Sequence, residues 1–395
     1  MNCTKWITVL MISLVLGIYT QAQSAAAVFA DAEKQTMLLL RETGKIRETK
    51  PELVSPRTLE NGELKVVASR DWTSGFFPGV LWMLYEYTHK RNWEDSARKY
   101  TALIEKEKLN GGTHDMGFKV YCSFGTGYNI TKDAQYKEVI IQSARTLSTR
   151  FNPVIGCIRS WDHSRDKWGF PVIIDNMMNL ELLFAATRFT GDSSFYRIAV
   201  THANTTMKNH FRSDYSSYHV VDYDTVTGQV VKKNTHQGYA HESAWARGQA
   251  WALYGYTMCY RETKDPKYLQ QAEHVAAFIL NHPNMPKDLV PYWDFNAPGI
   301  PNEPRDASAA AVIASGLYEL STFSKPNAKK YRNTADKIVQ SLTQQYRSPI
   351  GENKGFILLH STGSKPANSE VDVPLNYADY YYLEAMLRQR SGVRR

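Results

Sequence analysis

The stretch Trp168-Gly-Phe-Pro-Val-Ile-Ile-Asp175-Asn-Met-Met-Asn-Leu180 runs from an extended apolar segment straight into an apolar helix, with a single carboxylate at the junction. It opens a unit that recurs along the chain. Its apolar helix is followed by a turn containing Asp192 and by a more polar helix in which Phe195, Ala199 and Ala203 share one face, because residues four apart lie one above the other. The same order, with an aromatic residue followed at spacings of four by small or apolar ones, appears at Trp93/Ala97/Thr101, Tyr136/Ile140/Ala144, Tyr268/Ala272/Ala276 and Tyr331/Ala335/Val339. Asp133, Asp192 and Asp265 each stand three residues before the aromatic, a position suited to an N-cap. A sixth pair comes from an amphipathic helix over 31–46 and a last helix over 376–387. Twelve helices, alternately buried and half-exposed, predict an all-α fold: a six-hairpin alpha/alpha barrel with the apolar helices inside.

In such a ring the inner helices run in one direction, so their N-termini share one mouth. Trp72 precedes the first, Asp115 the second and Asp175 the third; Arg247 opens the fourth, Arg305 and Asp306 the fifth, and Asn376, Tyr377 and Asp379 the sixth. The insert 218–232, with its Asp224-Thr-Val-Thr-Gly228 turn, reads as a small β-hairpin on the rim. The residues from Arg388 onward read as a frayed tail.

At 395 residues and 43% hydrophobic, the chain can bury a large core, and the repeat favours a single barrel over 24–395. Residues 1–23 read as a secretory signal, with Lys5, an apolar run over 6–19, and then small residues Ala22, Ser24 and Ala25. Export to a periplasm-like space is therefore expected, with no membrane span elsewhere. Cys122, Cys157 and Cys259 are an odd number without paired spacing, so no disulfide framework is implied. The net charge of +8 is spread along the chain, which argues against nucleic acid and suits a small acidic substrate. The 24 tyrosines and 9 tryptophans fit sugar stacking as well as core packing.

Two aspartates facing one cavity are the minimum for acid and base work on a sugar, since one must keep a proton, and burial and mutual repulsion raise the pKa of one member. The competing reading makes Asp115 and Asp175 helix-capping acids only. Arg247 and Trp251, four apart, offer either a fork for a carboxylate beside an aromatic plate, or an arginine that binds a carbonyl next to a core tryptophan. Asp162 is a lesser acid with a turn role. His236 and His241 lack zinc spacing, and no Cys-x-x-Cys, serine elbow or phosphate loop occurs, so no metal or cofactor is expected.

The motifs Trp72-Thr-Ser-Gly-Phe76, His114-Asp115-Met-Gly-Phe118, Ile174-Asp175-Asn-Met-Met-Asn-Leu180, the stretch from His236-Gln237-Gly238 to Trp251, Arg305-Asp306-Ala-Ser-Ala-Ala-Ala311 and Tyr377-Ala-Asp-Tyr-Tyr-Tyr-Leu-Glu-Ala385 resemble glycoside hydrolase family 88, the unsaturated glucuronyl hydrolases. The likeness covers nearly the whole mature chain. It implies an alpha/alpha barrel that hydrates the C4=C5 double bond of uronyl oligosaccharides left by polysaccharide lyases, with Asp175 as general acid and base and Asp115 assisting. It implies Trp72, His219, Asn234, His236, Arg247, Trp251 and Tyr377 as substrate contacts. In some relatives a basic residue just after the position of His236 and a Ser/Lys cluster hold a sulfate. Here Gln237 takes the first place, and Ser361-Thr-Gly-Ser364-Lys365 matches the cluster in part, leaving Lys365 as the sulfate or reducing-end contact. The partner implied is an unsaturated uronyl di- or oligosaccharide, sulfated or not, for a monomer or weak homodimer. The alternatives are a related hydrolase of unsaturated galacturonyl-rhamnose from pectin, and a glycan-binding barrel without turnover.

Overall fold

The computed structural model describes residues 25–391, so the signal reading at 1–23 lies outside the described residues. Helix α1 (Ala25–Thr49) leads into a hairpin of β1 (Leu53–Glu60) and β2 (Glu63–Ala68), which the helical repeat did not anticipate. Its turn is Asn61-Gly62, both with positive φ (51° and 80°), the backbone that a two-residue hairpin turn requires. Then come α2 (Phe76–Thr88) and α3 (Arg91–Ala102), a π-helical segment Gly117–Gly125 running into α4 (Thr126–Thr131), and α5 (Ala134–Ser148). A short pair, β3 (Phe151–Asn152) and β4 (Cys157–Ile158), precedes β5 (Pro171–Ile173), a 3-10 segment Ile174–Asn179, α6 (Leu180–Thr190) and α7 (Ser193–Asn209). The chain continues through β6 (Val220–Tyr223), β7 (Val230–Asn234), α8 (Ala246–Thr263), α9 (Pro266–Asn281), α10 (Ala307–Phe323), α11 (Ala328–Gln345) and α12 (Asn376–Ser391).

Five of the predicted hairpins are present: α2/α3, the π segment with α4/α5, α6/α7, α8/α9 and α10/α11; the sixth is looser, because α1 packs on α2, the β1–β2 hairpin and the segment Asn353–Gly355, and α12 on α2, α10 and α11. Each inner helix packs on the next, from α12 through α2, the π segment, α6, α8 and α10 back to α12, so the ring closes among the described residues. Inner helices such as α8 and α10 are buried nearly all round, whereas the outer α7 and α11 bury one stripe. Phe195, Ala199 and Ala203, and likewise Tyr331, Ala335 and Val339, form those stripes.

Three of the turns use one device. Asp133, Asp192 and Asp265 accept the backbone N–H two residues on, capping α5, α7 and α9, a bond typically worth about 1 kcal/mol. In each, the preceding residue (Lys132, Gly191, Lys264) is left-handed, and a threonine hydroxyl two residues back (Thr131, Thr190, Thr263) accepts the Asp N–H. The tight packing of the ring shows at Gly75, just ahead of α2, where a Cβ would come within 2.3 Å of two carbonyl oxygens, those of Phe118 and Lys119. Gly75→Ala is expected to destabilise the fold by roughly 1–3 kcal/mol, read as a lower midpoint in urea unfolding.

The expected insert exists but is larger than a hairpin, because β5 joins β6 and β7 in a three-stranded antiparallel sheet. The tail reading is overturned. Arg388 lies inside α12, 2% exposed, paired with Glu319 (2.9 Å) and Glu384 (3.6 Å), and its guanidinium donates to the Tyr254 hydroxyl. Cys122, Cys157 and Cys259 are free and buried. No helix among the described residues is long and apolar enough to cross a membrane.

Candidate active site

The mouth formed by the inner-helix N-termini holds a cleft of about 880 Å³ of empty space. Trp72, Asp115, Asp175 and Arg247, from four different hairpins, line it together with His236 and Gln237 from the segment after β7. A larger void, about 1130 Å³, lies at the opposite end of the barrel, but its charges are mutually paired: Arg261 with Glu181 and Glu319, Arg388 with Glu319 and Glu384. The two acids of the sequence reading meet only in the first.

Asp175 is placed by the sheet. Pairing of Ile173 with Val220, and the bond from Ile174 N–H to the His219 carbonyl (3.1 Å), set the residues after β5 and before β6 side by side. His219 Nε2 comes to lie 3.6 Å from Asp175 Oδ2. Asp175 caps no helix, and its buried Oδ2 has no hydrogen-bond partner. Burial pushes its carboxyl up to about 7; the Arg247 charge opposes the rise and the Asp115 charge adds to it. Asp115 caps no helix either. It accepts from Thr113 Oγ1 (2.6 Å) and lies 3.2 Å from His114 Nε2. Neither side chain caps a helix, although Asp175 stands in the first turn of the 3-10 segment, and one acid keeps its proton near neutrality while facing a second.

His219 is a fixed donor. Its Nδ1 accepts the backbone N–H groups of His236 and Gln237 (3.1 Å each), so the ring proton resides on Nε2, toward Asp175. Burial and the neighbouring His236 and Arg247 push its proton affinity well below the usual range, which keeps the ring neutral. It sits behind Asp175 and does not line the cleft.

Arg247 is not an open fork. One terminal nitrogen donates to Asp306 Oδ2 (2.8 Å) and to the Thr362 carbonyl, the other to the Gly363 carbonyl (both 2.6 Å), leaving only Nε without a partner. The carbonyl-binding reading of this arginine holds, and what reaches the cleft is chiefly its charge. Its aromatic neighbours are Trp245 (4.6 Å) and Tyr377 (5.3 Å). Trp251 is wholly buried against Phe118 and Tyr381 and does not line the cleft, as a core tryptophan would not. Its indole N–H lies near enough to Asp175 to favour the ionised form, yet makes no hydrogen bond.

The remaining predicted contacts divide. Trp72 presents its indole to the cleft and is braced by Tyr377 (5.0 Å), itself fully buried with an unpaired hydroxyl. Asn234 accepts the Trp168 indole N–H (3.3 Å) outside the cleft lining. Lys365 also lies off the lining, 3.8 Å from Glu303, while Gln237 reaches the same loop through the Gly363 carbonyl (3.0 Å). Asp162 forms ion pairs with Arg150 (2.9 Å) and Arg159 (3.3 Å), as a turn role requires. Missed from the sequence were His114 and the Trp161/His163 pair, which stack at 5.0 Å and wall the cleft. The aromatic Trp161-Asp-His163 tripeptide was the available signal.

A protonated carboxyl facing a second acid beside a half-buried indole, at the mouth of an alpha/alpha barrel, defines a carboxylate-dependent glycoside hydrolase. The family model of Glycosyl Hydrolase Family 88 matches residues 46–389, and the chain belongs to that family. An unsaturated glucuronyl hydrolase of Formosa agariphila is 55% identical over 82% of this chain and 81% of its own length. An unsaturated chondroitin disaccharide hydrolase of Streptococcus pneumoniae is 34% identical over 86% of both. The crystal structure of an unsaturated glucuronyl hydrolase specific for heparin superposes with a TM-score of 0.87 at 48% identity, covering 92% of this chain and 96% of the other.

Proposed function

We propose that this cleft hydrates the C4=C5 double bond of an unsaturated glucuronyl residue at the non-reducing end of glycosaminoglycan fragments released by lyases. The observation that carries the reading is the Asp175 carboxyl, buried, unpaired and protonated up to about pH 7 at the floor of an open cleft. The unsaturated ring is an enol ether. Asp175 adds its proton to C4, and the positive charge left at C5 is shared with the ring oxygen. Water adds to C5 and returns a proton to the Asp175 carboxylate, so the acid is regenerated. The hemiketal formed at C5 opens and releases the next sugar. Asp115 keeps the proton on Asp175 by its charge, His219 Nε2–H faces the carboxylate that appears once the proton has left, and Trp72 offers the sugar a flat apolar face.

The glucuronyl and chondroitin activities of the named relatives support this reading over the pectin and non-catalytic alternatives. The Arg247 charge suits an anionic ring, and the leader-like residues 1–23 support a periplasmic site of action. The test is loss of the alkene's ultraviolet absorbance on adding enzyme to disaccharides in which the unsaturated uronyl ring is joined either to a glycosaminoglycan amino sugar or to rhamnose, as in pectin fragments. The amino-sugar disaccharides are expected to be consumed; a panel left intact, or the rhamnose disaccharides alone consumed, refutes the assignment. Because the reactive form is the protonated acid, kcat/KM is expected to fall as pH rises through about 7. A rate that stays flat from pH 6 to well above that value would remove Asp175 as proton donor.

A further inference from the structure

Behind the two acids runs a set of buried polar groups that the proposed reaction does not use. His202 and Thr206 lie four residues apart on one face of α7, and His210, four further on, is its C-cap, all 0% exposed. His202 Nδ1 accepts the Ile158 N–H (3.0 Å), and the Ile158 carbonyl accepts from Asn176, next to Asp175 (2.9 Å). His114, next to Asp115, is anchored to the same segment through the Ser160 carbonyl (3.1 Å). At the far end the His210 carbonyl accepts the Tyr218 N–H (2.8 Å), beside His219. The seam thus reaches from Asp115 to Asp175 beneath the cleft. Burial depresses the proton affinity of His114, His202, His210 and His219, so all four rings are neutral.

The seam's polar atoms exceed its protein partners. His202 Nε2, both ring nitrogens of His210, Thr206 Oγ1 and Ser217 Oγ are buried without a protein hydrogen bond. Each such orphan costs roughly 1–3 kcal/mol unless something bonds it, and a cluster of converging donors and acceptors suits internal water. The polarity of the seam is also set. His202 and His219 both accept backbone N–H groups at Nδ1, so each carries its proton on Nε2 and neither can relay a proton through its ring.

We infer that this seam holds ordered internal waters which join His202, His210 and Ser217 into a hydrogen-bond network that braces the segments carrying Asp175 and His219, through the Ile158–Asn176 and His210–Tyr218 bonds. His202 and His210 are then positioning residues for the proton donor. The role in turnover rests on the proposed reaction; the hydration does not.

The test compares His210→Phe, which removes both ring nitrogens at similar volume, with His210→Gln, which keeps hydrogen-bonding atoms. The readouts are turnover of an unsaturated glucuronyl disaccharide, its pH profile, and Tm. His210→Phe is expected to lose roughly ten- to a hundredfold in kcat with KM little changed. Its alkaline limb should move, because Asp175 is faced by His219 as well as Arg247, Asp115 and Trp251. His210→Gln should recover most of the rate. A dry, space-filling seam gives the opposite: a His210→Phe variant with wild-type kcat and profile and an equal or higher Tm, which overturns the inference. If His210→Phe does not fold, Ser217→Ala carries the same readouts, and a wild-type kcat and profile there overturns it. A crystal structure of the wild-type protein decides hydration separately, since electron density without a water bonded to His210 refutes the seam even if the enzyme proves active. A wild-type enzyme that leaves the alkene intact refutes the proposed reaction alone.

Discussion

Asp175→Asn lowers kcat by roughly 10²- to 10⁴-fold while substrate affinity changes little, because the amide keeps the shape of the side chain but has no proton acidic enough to give to C4. The readout is the rate of alkene loss together with binding of an unsaturated disaccharide by calorimetry. The same substitution is expected to stabilise the protein at alkaline pH. The folded-state pKa of Asp175, about 7, lies above its ordinary value of 3.8, so the native form is unpenalised below the ordinary value and loses stability as pH rises toward 7. Asparagine never ionises. The variant's Tm should therefore exceed that of the wild type at pH 8 by an amount that vanishes near pH 3.5. A variant that turns over normally, or that is no more stable at pH 8, contradicts the placement of a strained acid here.

Asp306→Ala is expected to cause a large loss of stability, about 3–5 kcal/mol, seen as a lower urea midpoint. Asp306 is wholly buried and serves five groups: it accepts from Arg247 (2.8 Å), from the Ser308 and Ala309 N–H groups that open α10, from the Ser308 hydroxyl (2.5 Å), and from the Thr362 N–H (3.4 Å). Alanine uncaps the helix and leaves the buried Arg247 charge without its carboxylate. Asp306→Asn separates the two effects, since its amide oxygen can still cap α10 while the ion pair is lost. If Asp306→Ala unfolds at the wild-type midpoint, the Arg247–Asp306 pair does not hold the mouth together.

The ring was legible because its signal is local. Spacing by four in Phe195/Ala199/Ala203 and an aspartate at three of the turns report on one helix at a time, and both appear as read. The β1–β2 hairpin escaped because Pro56 and alternating charges hide its strands, although Asn61-Gly62 is a strong turn signal. Asp115 and Asp175 stood out as carboxylates at the start of apolar segments. What each polar group bonds to did not, because the answer lies far along the chain. Arg247 is committed to Asp306 and to the loop at 362–363, and Arg388 to Glu319 on another helix. His114 and His202 likewise gain meaning only where distant segments converge at Ile158–Ser160, and His210 only beside Tyr218.

The convergence of α1 and α12 on α2 makes the barrel indifferent to where its chain is cut. Tyr87 stacks on Phe29 near the first described residue (3.8 Å) and takes the Arg390 guanidinium near the last (5.3 Å), so the two described ends meet over one ring. A circular permutant that bridges 391 to 25 and opens an exposed outer turn would visit the same helices in rotated order. The geometry of the mouth belongs to the closed circle, and the starting point of the polypeptide is interchangeable.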